Sequence, residues 1–159
     1  MSENLNLKEY MKDDAFAFDN ISLAICKEEE PNYETLLKEC EEFENSVILF
    51  KIVPSYFVMK TILCFKLNDY ETAHKYINGS LKYLVYVAKS VAELTPMEKV
   101  NFDEYKSNVL DQYKILTSQR PEYLNIKEVK VPSITKFITT NDENILNVEI
   151  DRRVSLRKK

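Results

Sequence analysis

The sequence predicts an all-α fold of antiparallel helical hairpins, with about five helices followed by an extended C-terminal tail. Gly79 is the only glycine among 159 residues, whereas the tight turns between short strands depend on residues that tolerate positive φ. Apolar residues recur at helical spacing through most of the first 120 residues. We therefore expect a helical domain over residues 1–120 and an extended or flexible tail over residues 121–159, with a basic C-terminus.

The first two helices are predicted from apolar spacing and from a proline between them. Helical periodicity covers residues 7 to about 26, and the acidic residues 28–30 followed by Pro31 end this helix. Asn32 is a suitable N-cap for a second helix, whose apolar stripe covers residues 33–48.

The next two helices are expected to form a hairpin. Pro54 marks a boundary, and Ser55 caps a third helix that reaches Leu67. The pair Asn68-Asp69 makes a tight turn, and residues 70 to about 92 keep helical spacing. Because the turn is so brief, the two helices must lie antiparallel and side by side.

Gly79 lies inside the fourth predicted helix, in the triplet Asn78-Gly79-Ser80. The triplet matches a glycosylation acceptor, but a mid-helix position and the lack of an export signal favour a structural role. A helix-interior glycine costs roughly 1 kcal/mol. We expect that another helix approaches closely at this point.

A fifth helix is predicted after a complete start signal. The signal is Thr95-Pro96-Met97-Glu98, with a hydroxyl cap, a proline in the first turn and a carboxylate at the third position. The helix continues to about Thr117, and Arg120-Pro121 closes it. Beyond Pro121 the periodicity fails, and KEVKVPSITKFITT suggests an extended or docked segment. From residue 141, apolar residues alternate, and we expect a mobile tail unless a partner binds it.

Charge is distributed unevenly along the chain. The net charge is −4, yet residues 151–159 contribute +4, so the remainder carries −8. The basic residues of this tail are Arg152, Arg153, Arg157, Lys158 and Lys159. The body is expected to repel nucleic acid, and only the tail to attract it. The tail also contains Arg152-Arg153-Val154-Ser155, a form that basic-directed kinases prefer, which makes Ser155 a possible phosphorylation site.

The composition argues against catalysis. His74 is the only histidine, which excludes mechanisms that need a histidine pair, a His-Cys dyad or a multi-histidine metal site; we expect it on the surface or in a groove. The cysteines Cys26, Cys40 and Cys64 lack CxxC spacing and are expected as reduced core thiols. Phosphate-binding glycine loops are excluded. We predict no catalytic residue, no metal and no cofactor.

The location and the partner-binding residues are also predicted. No apolar segment approaches the roughly 20 residues that span a bilayer, and the acidic N-terminus does not resemble a signal peptide. We therefore expect a cytoplasmic or nuclear protein. Partner binding is assigned to Tyr83 and Tyr86 with Lys82 and Lys89 nearby, because amphipathic rings at a groove edge give contact area at little entropy cost. The alternative is that these rings belong to the core, with hydroxyls at its rim.

Two helical families share motifs with the middle of the chain. The span FVMKTILCFKLNDYETAHKYINGSLKYL resembles the tetratricopeptide repeat (TPR) hairpin. The matching positions are Leu67, Asp69, Tyr70, Ala73, Ile77 and Ser80. Residues 55–117 also resemble the three-helix MIT domain of membrane-remodelling adaptors. The matching positions there are YETA, Leu81, Tyr83-Leu84, Lys89, Lys106 and Tyr113. Both resemblances imply that a peptide or helix from a partner binds in a groove.

These observations lead to one functional hypothesis and three alternatives. The hypothesis is a non-enzymatic interaction module or small adaptor subunit that holds a partner peptide or helix between its helices. One alternative is an RNA- or ribonucleoprotein-associated accessory protein that uses the basic tail. An MIT-type adaptor in membrane remodelling and a small helical enzyme are the others.

Overall fold

The computed structural model describes residues 2–27 and 30–158, and the chain forms two compact units. The terminal unit comprises Met1–Val53 and Thr140–Lys159, and the central unit comprises Pro54–Thr139. The described residues contain seven α-helices and no β-strand, which confirms the all-α prediction.

The seven helices include the five expected ones and two in the predicted tail. They are α1 (Ser2–Lys27), α2 (Tyr33–Ser46), α3 (Val53–Lys66), α4 (Tyr70–Ala88), α5 (Pro96–Gln119), α6 (Thr135–Ile138) and α7 (Glu143–Arg157). Three 3₁₀ turns lie at Phe50–Ile52, Val91–Glu93 and Pro121–Asn125. Over the residues that the structure covers, no helix is both long and apolar enough to cross a membrane.

The terminal unit packs α1 and α7 against α2. The rings of Phe18 and Phe43 lie 6.3 Å apart between α1 and α2. The predicted cap is confirmed, because the Asn32 side chain accepts a hydrogen bond from the Thr35 N–H at 3.1 Å. The predicted end of the first helix at residues 28–30 lies partly outside the described residues.

The central unit is built on the predicted α3–α4 hairpin. Near the turn, the rings of Phe65 and Tyr70 lie 6.2 Å apart. Further from it, Phe57 packs edge-on against Tyr76 at 5.6 Å. Because earlier residues of α3 meet later residues of α4, the two helices are antiparallel. In the turn, Asn68 takes a φ of 57°, a region that asparagine tolerates better than most residues.

The helix α5 begins as its start signal predicts. Thr95 and Glu98 form a reciprocal capping box, with hydrogen bonds of 3.2 and 3.0 Å. The helix packs along α4 and buries Val109 and Leu116. The short α6 also contacts α4 and supplies buried apolar side chains.

Gly79 lies where neighbouring groups approach α4 most closely. A Cβ at this position would lie 2.9 Å from Cε2 of Phe57 and 3.0 Å from Cδ of Pro132. Since Phe57 belongs to α3, the predicted close approach of a second helix is confirmed.

The prediction of an extended segment at the C-terminus is wrong over residues 143–157, which form α7. Asp142 caps this helix by accepting a hydrogen bond from the Asn144 N–H at 3.0 Å. Ion pairs then join Glu149 to Arg152 and Arg153, three and four residues further on, a spacing that stabilises a helix. The apparent alternation of Ile145, Val148 and Ile150 is therefore not a strand pattern. Residues 126–132 do form an irregular segment without helix or strand.

The cysteines follow the prediction in two of three cases. Cys40 and Cys64 are buried, as expected of core thiols, whereas Cys26 is exposed. Cys26 lies in the last turn of α1. Helical periodicity alone did not indicate that its side chain would be exposed.

Candidate partner-binding groove

A groove of about 460 Å³ lies in the central unit beside the first half of α4, and we call it the α4 groove. One wall consists of Glu71, Thr72, His74 and Lys75, and the other consists of Tyr123, Ile126, Glu128 and Lys130. The second wall comes from the 3₁₀ turn and the irregular segment that follow α5.

The first wall is positioned by the N-cap of α4. The Asp69 side chain accepts a hydrogen bond from the Thr72 N–H at 3.1 Å and fixes the start of the helix. Residues three and four apart share one helix face, so Glu71 lies on the same side as His74 and Lys75.

A stacked pair of rings joins the two walls. The rings of His74 and Tyr123 lie 4.5 Å apart at 22°. Arg120 and Pro121 end α5, and the following 3₁₀ turn places Tyr123 over the imidazole. The result is a preformed aromatic platform at the groove.

His74 is a buried polar group, with only 7% of its surface exposed. Burial lowers the pKa of its imidazole, which favours the neutral ring. The Asn78 amide nitrogen lies 3.2 Å from both ring nitrogens and donates to the unprotonated one. The sequence-based expectation of a groove histidine fits this position, whereas a surface position does not.

The rim of the groove carries both signs of charge. Glu71 and Glu128 are balanced by Lys75 and Lys130, and all four side chains are exposed. Burial raises the pKa of Tyr123, and the negative charges of Glu71 and Glu122 raise it further, so its hydroxyl stays protonated and can donate. The groove therefore offers aromatic surface, the donor hydroxyl of Tyr123 and charged groups of either sign.

The residues assigned to partner binding from the sequence lie elsewhere on α4. Tyr83 packs edge-on against Tyr105 of α5, with ring centroids 5.8 Å apart at 90°. Its pKa is raised mainly by burial and also by the charge of the neighbouring Tyr86. Tyr83 is half-buried, and whether it belongs to a groove edge or to the core stays a prediction. Lys82 and Lys89 are exposed. None of Lys82, Tyr83, Tyr86 and Lys89 lines the α4 groove, and their role in binding stays a prediction.

Two of the basic residues expected to contact a partner are instead held inside the terminal unit. Arg153 is only 6% exposed. It pairs with Glu149 at 2.6 Å and donates to the main-chain carbonyls of Glu44 and Val47 at 2.8 and 3.0 Å. Arg157 pairs with Asp14 at 2.6 Å. The tail is therefore not a free basic segment.

The other basic residues of the tail provide fewer cations for an outside partner than the sequence suggested. Arg152 is exposed but pairs with Glu149 at 2.6 Å, Lys158 is exposed, and Lys159 lies outside the described residues. Because RNA affinity depends on the number of phosphates that cations neutralise, this arrangement weakens the RNA-binding alternative. Ser155 is exposed on α7, and its phosphorylation stays a prediction.

The sequence did not indicate that Tyr123 meets His74. Neither residue belongs to a motif, and the contact depends on where the chain turns after α5. Across the described residues, no cluster of three or more His, Cys, Asp or Glu side chains is arranged to hold a metal ion. Comparisons of the chain with protein-family models, with curated proteins and with solved structures gave no match.

Proposed function

We propose that this chain is a non-enzymatic interaction module, a small adaptor subunit that holds a peptide or helix from a partner protein in the α4 groove. The observation that carries the proposal is the preformed wall of stacked His74 and Tyr123 in a groove of about 460 Å³. Concave sites with aromatic walls and a few directed polar groups are typical of ligand binding.

The α4 groove is preorganised for binding. The two rings are already immobilised against each other, so a partner that packs on them loses little side-chain entropy on the protein's side. The Tyr123 hydroxyl and the mixed rim charges favour one orientation of the bound segment. Ile126 adds exposed apolar surface to the same wall. The resemblance to TPR and MIT hairpins, which bind peptides and helices, supports the same role.

The proposal is tested by affinity capture from cells that express the protein naturally, followed by quantitative mass spectrometry. The groove variant combines Lys75→Glu with Ile126→Asp, both at exposed positions of the α4 groove. The matched control combines Lys82→Glu with Val85→Asp, which makes the same chemical changes on the exposed second half of α4. Circular dichroism and thermal melting establish that both variants fold.

We expect a partner that the wild type and the control variant recover equally and that the groove variant loses by about tenfold, the effect of roughly 1.4 kcal/mol. The proposal fails if no protein is enriched above background. It also fails if the partner is lost only with the Lys82 and Val85 substitutions, a result that would favour the surface around Tyr83 and Tyr86 instead.

A further inference from the structure

A second groove, of about 420 Å³, lies within the terminal unit between α1 and α2. Its floor is apolar and consists of Ala17, Ile21 and Phe43, while Asp13, Glu39 and Glu42 line its sides. The floor residues of α1 are four apart, and the two glutamates of α2 are three apart, so each helix turns one face toward the groove. We call this site the acid-rimmed groove.

No ion pair among the described residues neutralises the charges of the rim. Asp13, Glu39 and Glu42 are exposed, and among the described residues none of them enters an ion pair. Asp14, by contrast, is 4% exposed and fully used: its carboxylate accepts from the N–H groups of Ile48 and Leu49 at 2.8 and 3.1 Å and pairs with Arg157. The groove thus presents three uncompensated negative charges over an apolar floor.

One guanidinium group of the chain itself lies in this groove. The Arg157 guanidinium lines the groove, where Nη1 donates to Oδ1 of Asp14 at 2.6 Å and to the Ser46 carbonyl at 3.3 Å. Its Cζ also lies 4.6 Å from the centre of the Tyr10 ring, a cation–π distance. Carboxylate, carbonyl oxygen and aromatic face together are the partners that guanidinium groups prefer. This contact is independent of the three rim residues.

We propose that the acid-rimmed groove binds a basic amphipathic segment of a partner protein. Arginine or lysine side chains of that segment pair with Asp13, Glu39 and Glu42, and an apolar side chain packs on Ile21 and Phe43. Charge complementarity selects this occupant, since a nucleic acid or an acidic peptide is repelled by the rim. The site is separate from the α4 groove, so a chain that uses both connects two partners.

The size of the effect follows from the exposure of the rim. Each exposed ion pair changes affinity only by a few-fold and is screened by salt. Removing all three carboxylates is therefore expected to weaken binding by about tenfold, and raising the salt concentration should act in the same direction.

The test uses the full chain and a fluorescent synthetic peptide of about four helical turns, with arginines on one face and leucines on the other. Binding is followed by fluorescence anisotropy at low and at high salt. The groove variant is Asp13→Asn/Glu39→Gln/Glu42→Gln. Its control is Asp19→Asn/Glu34→Gln/Glu41→Gln, which removes the same number of exposed charges from the same two helices outside the groove.

We expect the groove variant to bind the peptide about tenfold more weakly than the wild type and the control variant. Peptides with Arg→Glu or Leu→Ser replacements should not bind. The proposal is overturned if both triple variants lose affinity equally, because the attraction would then come from the net charge of the protein. It is also overturned if the peptide binds equally to all proteins. Loss of binding with Lys75→Glu/Ile126→Asp alone would place the peptide in the α4 groove, and the two sites are distinguished in this way.

Discussion

Gly79 is a residue at which the central unit is closely packed. Two groups converge on it, the ring of Phe57 and the ring of Pro132. Phe57 is fully buried and packs edge-on against Tyr76, so it has no space into which it can withdraw. The hydrogen side chain of glycine therefore allows the close approach, even though glycine lowers helix stability.

Gly79→Ala is predicted to destabilise the protein. Alanine would gain roughly 1 kcal/mol of helix propensity, but overpacking of a rigid core costs about 1–3 kcal/mol. Because the added Cβ would come within 2.9 Å of Phe57, we expect a net loss of up to about 2 kcal/mol, measured by urea denaturation. Ser107→Ala, at an exposed position in α5, is the control and should change the stability by less than about 0.5 kcal/mol. A Gly79→Ala protein that is more stable than the wild type by about 1 kcal/mol, the gain in helix propensity alone, would contradict the close packing.

The helix α7 is held by a charged cluster that lies beside three half-buried apolar side chains, Leu146, Ile150 and Val154. Hydrogen bonds from Arg152 and then from Arg153 lower the pKa of Glu149 from 4.5 to about 2. Glu149 in turn fixes the guanidinium of Arg153, which reaches two main-chain carbonyls at the end of α2. Removing one partner of a buried pair leaves the other uncompensated, so the members of this cluster depend on one another.

This cluster predicts a specific dependence of stability on pH. A carboxyl group whose pKa is lower in the folded state contributes its full stabilisation above its unfolded value of 4.5 and loses it as the pH falls toward 2. Glu149→Gln should therefore reduce the free energy of unfolding at neutral pH by on the order of 2 kcal/mol. The difference between wild type and variant should shrink progressively between pH 4.5 and 2.

Urea denaturation at a series of pH values measures this difference, with Asp151→Asn at an exposed position of α7 as the control. A difference between wild type and Glu149→Gln that stayed constant down to pH 2 would show that the ion pairs do not account for the stability of α7.

Considered as a whole, the molecule has a terminal unit that needs both ends of the chain. Residues from α7 supply the donors for the carbonyls of Glu44, Ser46 and Val47 and the cation for buried Asp14. Without α7 these groups would lose the partners that the folded terminal unit gives them, which weakens the unit.

Deletion of residues 140–159 is predicted to loosen the terminal unit and to leave the central unit unchanged. In hydrogen-exchange mass spectrometry, amides of Tyr33–Ser46 should exchange at least about tenfold faster, whereas those of Tyr70–Ala88 and Pro96–Gln119 should keep their protection. Deletion of residues 158–159 alone, beyond α7, is the control. Unchanged protection of α2 in the long deletion would contradict a stabilising role for the C-terminal helix.

The helices and most of their caps were predictable from the sequence because they depend on contacts between residues three or four apart. The expected cap Ser55 was wrong, because α3 already begins at Val53 and Ser55 lies inside it. Asn32 and the Thr95–Glu98 box cap α2 and α5 as expected, and the short Asn68-Asp69 turn led to the antiparallel hairpin. The all-α class follows from the same local physics together with a single glycine.

Only the tertiary structure decided where charged and aromatic side chains go. The α4 groove requires Tyr123 to stack on His74, and α7 is held by bonds from Arg153 to residues 106 and 109 positions earlier. No periodicity records such distant pairs, so Arg153, which the sequence presents as part of a free basic tail, proves to be buried. Burial of a charge depends on which partners the fold brings to it, and that information lies in the packing of the helices.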